Sequence, residues 1–348
     1  MKYIKGYDSL RAVSIILVLS SHLGLYALLP QYDYIQERIW PIISGTTGVQ
    51  IFFTLSGFLI TKILIAEKGK YNSIDFKNFY IRRFLRLLPP LVIFYVAILF
   101  LMNAHQIAST KIGFLYSIFY LYNFVPKTYY TSELGHTWSL ALEEQFYIIW
   151  PILIHFIQKK KMLLRIITLM IILCFVSYYV LDYFKMNDNY YMMRFFIPAV
   201  APILIGSYFS ILLQSNLEKW KNFFHENKKI FIYSILLFIF PLYGFAFLLK
   251  FAFIFQSIGI GLFLSWIFFN QESRTTTVLN KPILNFIGKI SYGIYVYQGL
   301  FLTTGPSGEL WIQQFPQNIL LTVGIAILSY FLLEQPILKM KKHFVRSK

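Results

Sequence analysis

The 348-residue chain is 57% apolar and 20% aromatic but only 14% charged, with a formal net charge of +17. An ordinary soluble domain carries about 25% charged residues, so a soluble enzyme and a disordered chain are both excluded and an integral membrane protein is expected. The one cysteine, Cys174, lies in an apolar run, which rules out a disulfide framework and any cysteine-based metal site.

Apolar runs of about twenty residues, the length that crosses a hydrocarbon core of about 30 Å, fall at 10–29, 46–65, 87–103, 140–157, 163–181, 197–213, 230–249, 252–270, 286–304 and 318–337. The first follows Lys2 and Lys5 in the manner of a secretory signal. No small-x-small cleavage site comes after it, and Arg11 and His22 lie within it, so it reads as a retained helix. The run at 112–125 is shorter, ends near Asn123 and Pro126, and reads as interfacial or re-entrant. Loop charges decide between ten and eleven crossings. With ten spans and a cytoplasmic N-terminus, 24 of the 32 Lys and Arg fall in inside segments and six in outside loops. That is the bias of the positive-inside rule, and an eleventh span would invert most of it. The expected architecture is an all-α integral membrane protein with ten transmembrane helices plus one short interfacial or re-entrant segment, both termini cytoplasmic. It comprises a membrane domain over residues 1–337 and a basic cytoplasmic tail over 338–348, with no repeat or linker between them. Because the cations lie between apolar runs, the basic balance is topological and no nucleic-acid partner is expected.

Ionisable groups inside spans are expensive and mark candidate functional positions. Arg11 and His22 are eleven residues apart, close to three helical turns, so they share a face about 16 Å apart along the axis. A buried neutral imidazole is a base; packing against a neighbouring helix is the bland alternative for His22. His136 and Glu143 are seven apart and share a face if the helix starts that early. Glu143 and Glu144 are adjacent and point about 100° apart, so only one of them is expected at a site. A carboxylate there orients or charge-balances a histidine, or merely marks a helix start. Arg83 and Arg86 share a helical face before Pro89-Pro90, where arginine forms bidentate bonds to phosphate or simply anchors the span. No P-loop, His-Glu-x-x-His, Gly-x-Ser-x-Gly or Asp-x-Asp motif is present, so ATP-driven transport, zinc proteolysis and serine hydrolysis have no support.

Taken together, five stretches resemble the acyltransferase family three, polytopic bacterial enzymes that O-acylate carbohydrates and other hydroxylated acceptors. Residues 4–22, IKGYDSLRAVSIILVLSSH, are similar to its opening Arg and His separated by ten residues. GVQIFFTLSGFLI (48–60) resembles its second-helix signature, and FYIRRFLRLLPP (79–90) its Arg-x-x-Arg pair, matched by Arg83 and Arg86. HTWSLALEEQFY (136–147) resembles its Trp-Ser-Leu-x-x-Glu stretch, which places the acidic residue on Glu143. FLLEQPILKMKK (331–342) resembles its closing Glu-x-Pro and basic tail, through Glu334 and Pro336. One departure is Gln298, in SYGIYVYQ, where members commonly have histidine or tryptophan; no proton-transfer role is expected of it.

The resemblance implies a multi-pass enzyme of the bacterial inner membrane. It would move an acyl group, first of all acetyl, from cytosolic acetyl-CoA to a hydroxyl of a surface polysaccharide or its lipid-linked precursor. Arg83 and Arg86 would bind the CoA phosphates, with Arg11 as orienter or electrostatic stabiliser. His22 would be the general base and Glu143 would orient or charge-balance it; direct transfer and an acetyl-histidine relay both fit. No permanently bound cofactor or metal is expected; the partners are acyl-CoA, a carbohydrate or glycolipid acceptor and the bilayer. Some members carry a C-terminal esterase-like domain, expected to be absent because the chain ends eleven residues after its last predicted span. The alternative reading is a transporter or flippase of lipid-linked sugars with a buried Arg, His and Glu proton pathway.

Overall fold

The computed structural model describes residues 3–25, 38–184, 194–227, 229–242, 252–302, 310–340 and 344. Among these the fold is all-helical, with no β-strand. The principal helices in chain order are α1 (Tyr7–His22), α2 (Gly45–Tyr71), α3 (Phe76–Asn103), α4 (Lys111–Ile118), α5 (Thr137–Phe156), α6 (Lys160–Tyr183), α7 (Ala201–Ser215), α8 (Leu217–Glu226), α9 (Lys229–Phe238), α10 (Ala252–Phe269), α11 (Pro282–Phe301) and α12 (Gln317–Met340). Five of them are long and apolar enough to cross a membrane: α2, α3, α6 over Lys160–Leu181, α10 and α12. They coincide with predicted runs at 46–65, 87–103, 163–181, 252–270 and 318–337. The 112–125 run is not a long helix. It forms the eight-residue α4 and then a 3-10 turn over Tyr122–Phe124. The ends of the predicted spans at 10–29, 230–249 and 286–304, and most of the 338–348 tail, lie outside the described residues.

Helix starts follow capping chemistry, a side-chain oxygen accepting from an otherwise unpaired backbone N–H. Ser44 caps α2 through Thr47 N (3.3 Å), Asp75 caps α3 through Asn78 N (3.0 Å), and Thr110 caps α4 through Gly113 N (3.0 Å). The Asp75 cap lies twelve residues ahead of the apolar run that begins at Leu87. Helix α3 therefore starts early and carries Arg82, Arg83 and Arg86 within it rather than in a loop. Pro89 and Pro90 sit inside α3 and cannot donate to the carbonyls of Leu85 and Arg86, so the ladder is interrupted beside the arginines.

Helix α2 is the centre of the bundle, packed against α1 on one side and α7 on the other, while α1 also packs along α11. The α2–α7 contact is backbone to backbone. A Cβ on Gly57 would run into the Ile203 carbonyl, and one on Gly206 into the Thr54 carbonyl. Small residues at such crossings let apolar helices approach where no hydrophobic drive separates protein from lipid. Gly206→Ala should force the two backbones apart and destabilise by about 1–3 kcal/mol. A lower thermal-unfolding midpoint in detergent is the expected reading, and an unchanged midpoint would contradict this packing.

Candidate functional site

A cavity of about 280 Å³ opens between α1, α2, α3, α5 and α11. Helix periodicity places its wall. Ser139, Glu143 and Tyr147 recur every four residues on α5, Arg83, Arg86 and Leu87 form one face of α3, and Ser291 and Tyr295 lie one turn apart on α11. Arg11 of α1 and Ser56 of α2 complete the polar lining, and apolar α2 residues such as Phe52, Leu59 and Ile63 supply most of the rest. Four of the five residues singled out from sequence, Arg11, Arg83, Arg86 and Glu143, thus meet at one cavity.

Their electrostatics differ. Arg11 donates from Nη1 to Asp8 Oδ1 (2.7 Å), one turn earlier on α1. Arg83 is largely enclosed and forks onto Glu144, with Nε 2.8 and 3.0 Å from the two carboxylate oxygens and Nη2 also bonded to Oε1. Its Nη2 is 3.8 Å from Glu143 Oε1, and its guanidinium lies over the Tyr147 ring at 3.2 Å from the centroid. The adjacent glutamates, expected to serve different faces, therefore share one arginine: Arg83 reaches from α3 across both. Arg86 is the exception. It is exposed along the cavity it lines, and among the described residues no carboxylate lies within 4 Å of it and no hydrogen bond holds it. It feels Arg11 and Arg83 as neighbouring like charges and Glu143 as an opposite one.

Glu143 is held from two sides. Tyr147 donates its hydroxyl to Glu143 Oε1 (2.7 Å), and Ser56 Oγ touches both that oxygen and the tyrosine hydroxyl. No contact between Glu143 and His22 is formed among the described residues; the carboxylate is engaged by Ser56, Tyr147 and Arg83. His22 does not line the cavity. It is exposed at the last residue of α1 and exerts an electrostatic influence on His136.

His136 is buried at the start of α5, with Phe94 and Tyr295 edge-on at 5.3 and 5.6 Å. Neither histidine lines the cavity; His136 adjoins it through its carbonyl, which accepts from Ser139 and Tyr295 of the cavity wall. Glu334, in a π-helical turn of α12 at Tyr330–Glu334, is buried beside Ser329 Oγ (3.4 Å) and senses Arg86 across a longer distance. π-turns of this kind are frequent at functional sites.

A family model described as an acyltransferase domain matches residues 4–334, nearly the whole chain. The chain belongs to the acyltransferase 3 family. Relatives include a Bacillus subtilis (strain 168) protein provisionally named peptidoglycan O-acetyltransferase YrhL, 29% identical over 97% of this chain and 55% of the relative. The peptidoglycan O-acetyltransferase OatA of Listeria monocytogenes is 35% identical over 48% of this chain and 27% of its own length. A Staphylococcus aureus (strain COL) protein provisionally named an O-acetyltransferase is 27% identical over 97% of this chain and 58% of its own. The chain thus spans little more than half the length of the first and third of these. No solved structure matches it.

Several members of the site in this acyltransferase 3 chain escape a reading of motifs alone. Asp8, one turn before Arg11, was detectable as an (i, i+3) ion pair. Ser56 and Tyr147 look like ordinary small and aromatic residues of apolar helices, and only the crossing of α2 over α5 shows that they grip Glu143. The Glu144–Arg83 fork joins residues 61 apart, a tertiary fact without a local signal.

Proposed function

We propose that the chain is a membrane O-acetyltransferase that uses acetyl-CoA as donor and a surface glycan hydroxyl as acceptor, peptidoglycan being the first polymer to test because two relatives are named for it. The observation that carries this reading is the cavity inside the helical bundle of an acyltransferase-family chain, with an arginine that has no partner among the described residues at one side and a gripped carboxylate at the other. Arg86, assisted by Arg11 and Arg83, offers charge-assisted donors to the phosphates of CoA. In the ten-span arrangement the Arg11 end of α1 faces the cytoplasm, where the donor is, and the His22 end faces outward, where the glycan is. Glu143, Ser56 and Tyr147 line the path between them, and His22 is the base that takes the acceptor proton. The membrane domain over 1–337 is the catalytic unit and 338–348 its cytoplasmic basic tail. The location is the bacterial inner membrane.

The test is transfer itself. Purified protein in liposomes, given acetyl-CoA labelled in the acetyl group and a soluble peptidoglycan fragment, should yield a base-labile labelled ester. A transporter or flippase would move sugar across the bilayer and leave no ester, and that outcome would replace this reading.

A further inference from the structure

We propose that a binding site for the acceptor hydroxyls lies beyond the closed end of the cavity, formed by His136 and Gln298 beside His22 and separated from the donor side by a Tyr295–Ser139 partition. This inference rests on the O-acetyltransferase reading above and adds to it the place and chemistry of the acceptor.

The first observation is unmet hydrogen-bonding capacity. Buried polar atoms in folded proteins almost always have partners, and exceptions mark a water or ligand site. Among the described residues, His136 Nε2 and both amide atoms of Gln298 have none, although the two residues are only 5% and 1% exposed. The Nδ1 edge of the ring packs against Gly299 beside the Glu133 carbonyl, and Nε2 on the far edge is left to accept from, or donate to, a bound hydroxyl. Gln298 adds one donor group and one acceptor. A neutral molecule with neighbouring hydroxyls matches this set, since one hydroxyl bonds to Nε2 and another exchanges bonds with the amide. Neither His136 Nε2 nor the Gln298 amide brings a charge, so these two groups suit a neutral hydroxylated molecule better than an anion.

The second observation is placement. Ser291, Tyr295 and Gln298 fall on one stripe of α11, and the first two line the cavity. Gln298 continues that stripe one turn further, past the cavity's end. Tyr295 makes the partition there. Its hydroxyl contacts Ser139 Oγ (2.5 Å) and the His136 carbonyl oxygen (3.2 Å), and Ser139 Oγ donates to the same carbonyl (3.1 Å). Behind this layer Gly299 packs so closely on His136 that a Cβ there would overlap the imidazole, which locks the ring's orientation. In this site His22, at the end of α1, supplies the base of the proposed function above. The groups of the acceptor site are thus polar and neutral, while Arg11, Arg83 and Arg86 line the donor-side cavity and Arg194 is stacked on the Tyr130 ring.

Steady-state kinetics with acetyl-CoA and a soluble disaccharide of N-acetylglucosamine and N-acetylmuramic acid test the site, because it predicts a split between the two substrates. His136→Asn keeps an amide where Nδ1 was and has nothing at the Nε2 position. Gln298→Met keeps the volume and removes both orphan atoms. Each should raise the disaccharide KM at least tenfold with the acetyl-CoA KM unchanged, and His136→Gln, whose amide reaches the Nε2 position, should recover part of the loss. The thermal midpoint of Gln298→Met should equal or exceed that of the parent, since unsatisfied polar atoms are removed. An unchanged disaccharide KM, or a lowered midpoint with both KM values unchanged, would overturn the site and leave the transferase reading intact. A parent protein that forms no ester would remove both.

Discussion

Arg86→Ala should raise the KM for acetyl-CoA about 10- to 100-fold while leaving the amount of folded protein unchanged; Arg83→Ala, three residues away, should instead cost folded protein. Both arginines belong to the same motif, yet the bonds they already make differ. Arg83 spends its fork on Glu144 and its face on Tyr147. Removing one partner of an enclosed pair leaves an uncompensated carboxylate, at a cost of about 3–5 kcal/mol. Arg86 has no such partner among the described residues, so its truncation breaks nothing in the unliganded fold. What it loses is a charge-assisted bond to the donor, worth about 1.5–3 kcal/mol, which is the expected change in KM. Yield and thermal midpoint in detergent, measured beside acetyl-CoA KM, separate the two. Equal losses of midpoint in both variants would show that Arg86 is structural too.

Much of this arrangement is legible in the linear sequence, and the parts that are not have a common physical character. Long uniform runs such as 252–270 announce helices because every face is apolar, and the structure has α10 there. The early start of α3 is hidden because three arginines fall between Lys77 and Arg86, and hydropathy is blind to a helix that keeps going through charge. The Asp75 cap was the local sign. Within the site, the four-residue recurrence of Ser139, Glu143 and Tyr147 is a sequence fact. Which carboxylate takes Arg83 is settled instead by where α3 crosses α5. The roles expected of His22 and Glu143 assumed that the two would meet. In the fold Glu143 lines the cavity with Ser56 and Tyr147 as its partners, while His22 ends α1 outside it.

This separation makes the paired behaviour of His22 and Glu143 the sharpest test of the mechanism. His22→Ala should lower acetyl transfer about 10²–10⁴-fold, the usual contribution of a positioned base. It should not affect stability, since His22 is exposed and makes no hydrogen bond among the described residues. Glu143→Gln removes one charge but keeps an oxygen for Ser56 and Tyr147, and Glu144 still holds Arg83, so this variant too should fold. If Glu143 acted by orienting His22, loss of either would disable the same unit and the double variant would be no worse than the more damaged single one. Residues without shared partners behave otherwise: their free-energy effects add within about 0.5 kcal/mol. The partners of Glu143 are Ser56, Tyr147 and Arg83, and the residue that His22 influences is His136, with the Tyr295–Ser139 layer between the two groups. Additive losses in kcat/KM are therefore expected for the double variant. A coupling of more than about 1 kcal/mol would mean that the histidine and the carboxylate come together during turnover, and that the partition between the two sides opens to let them.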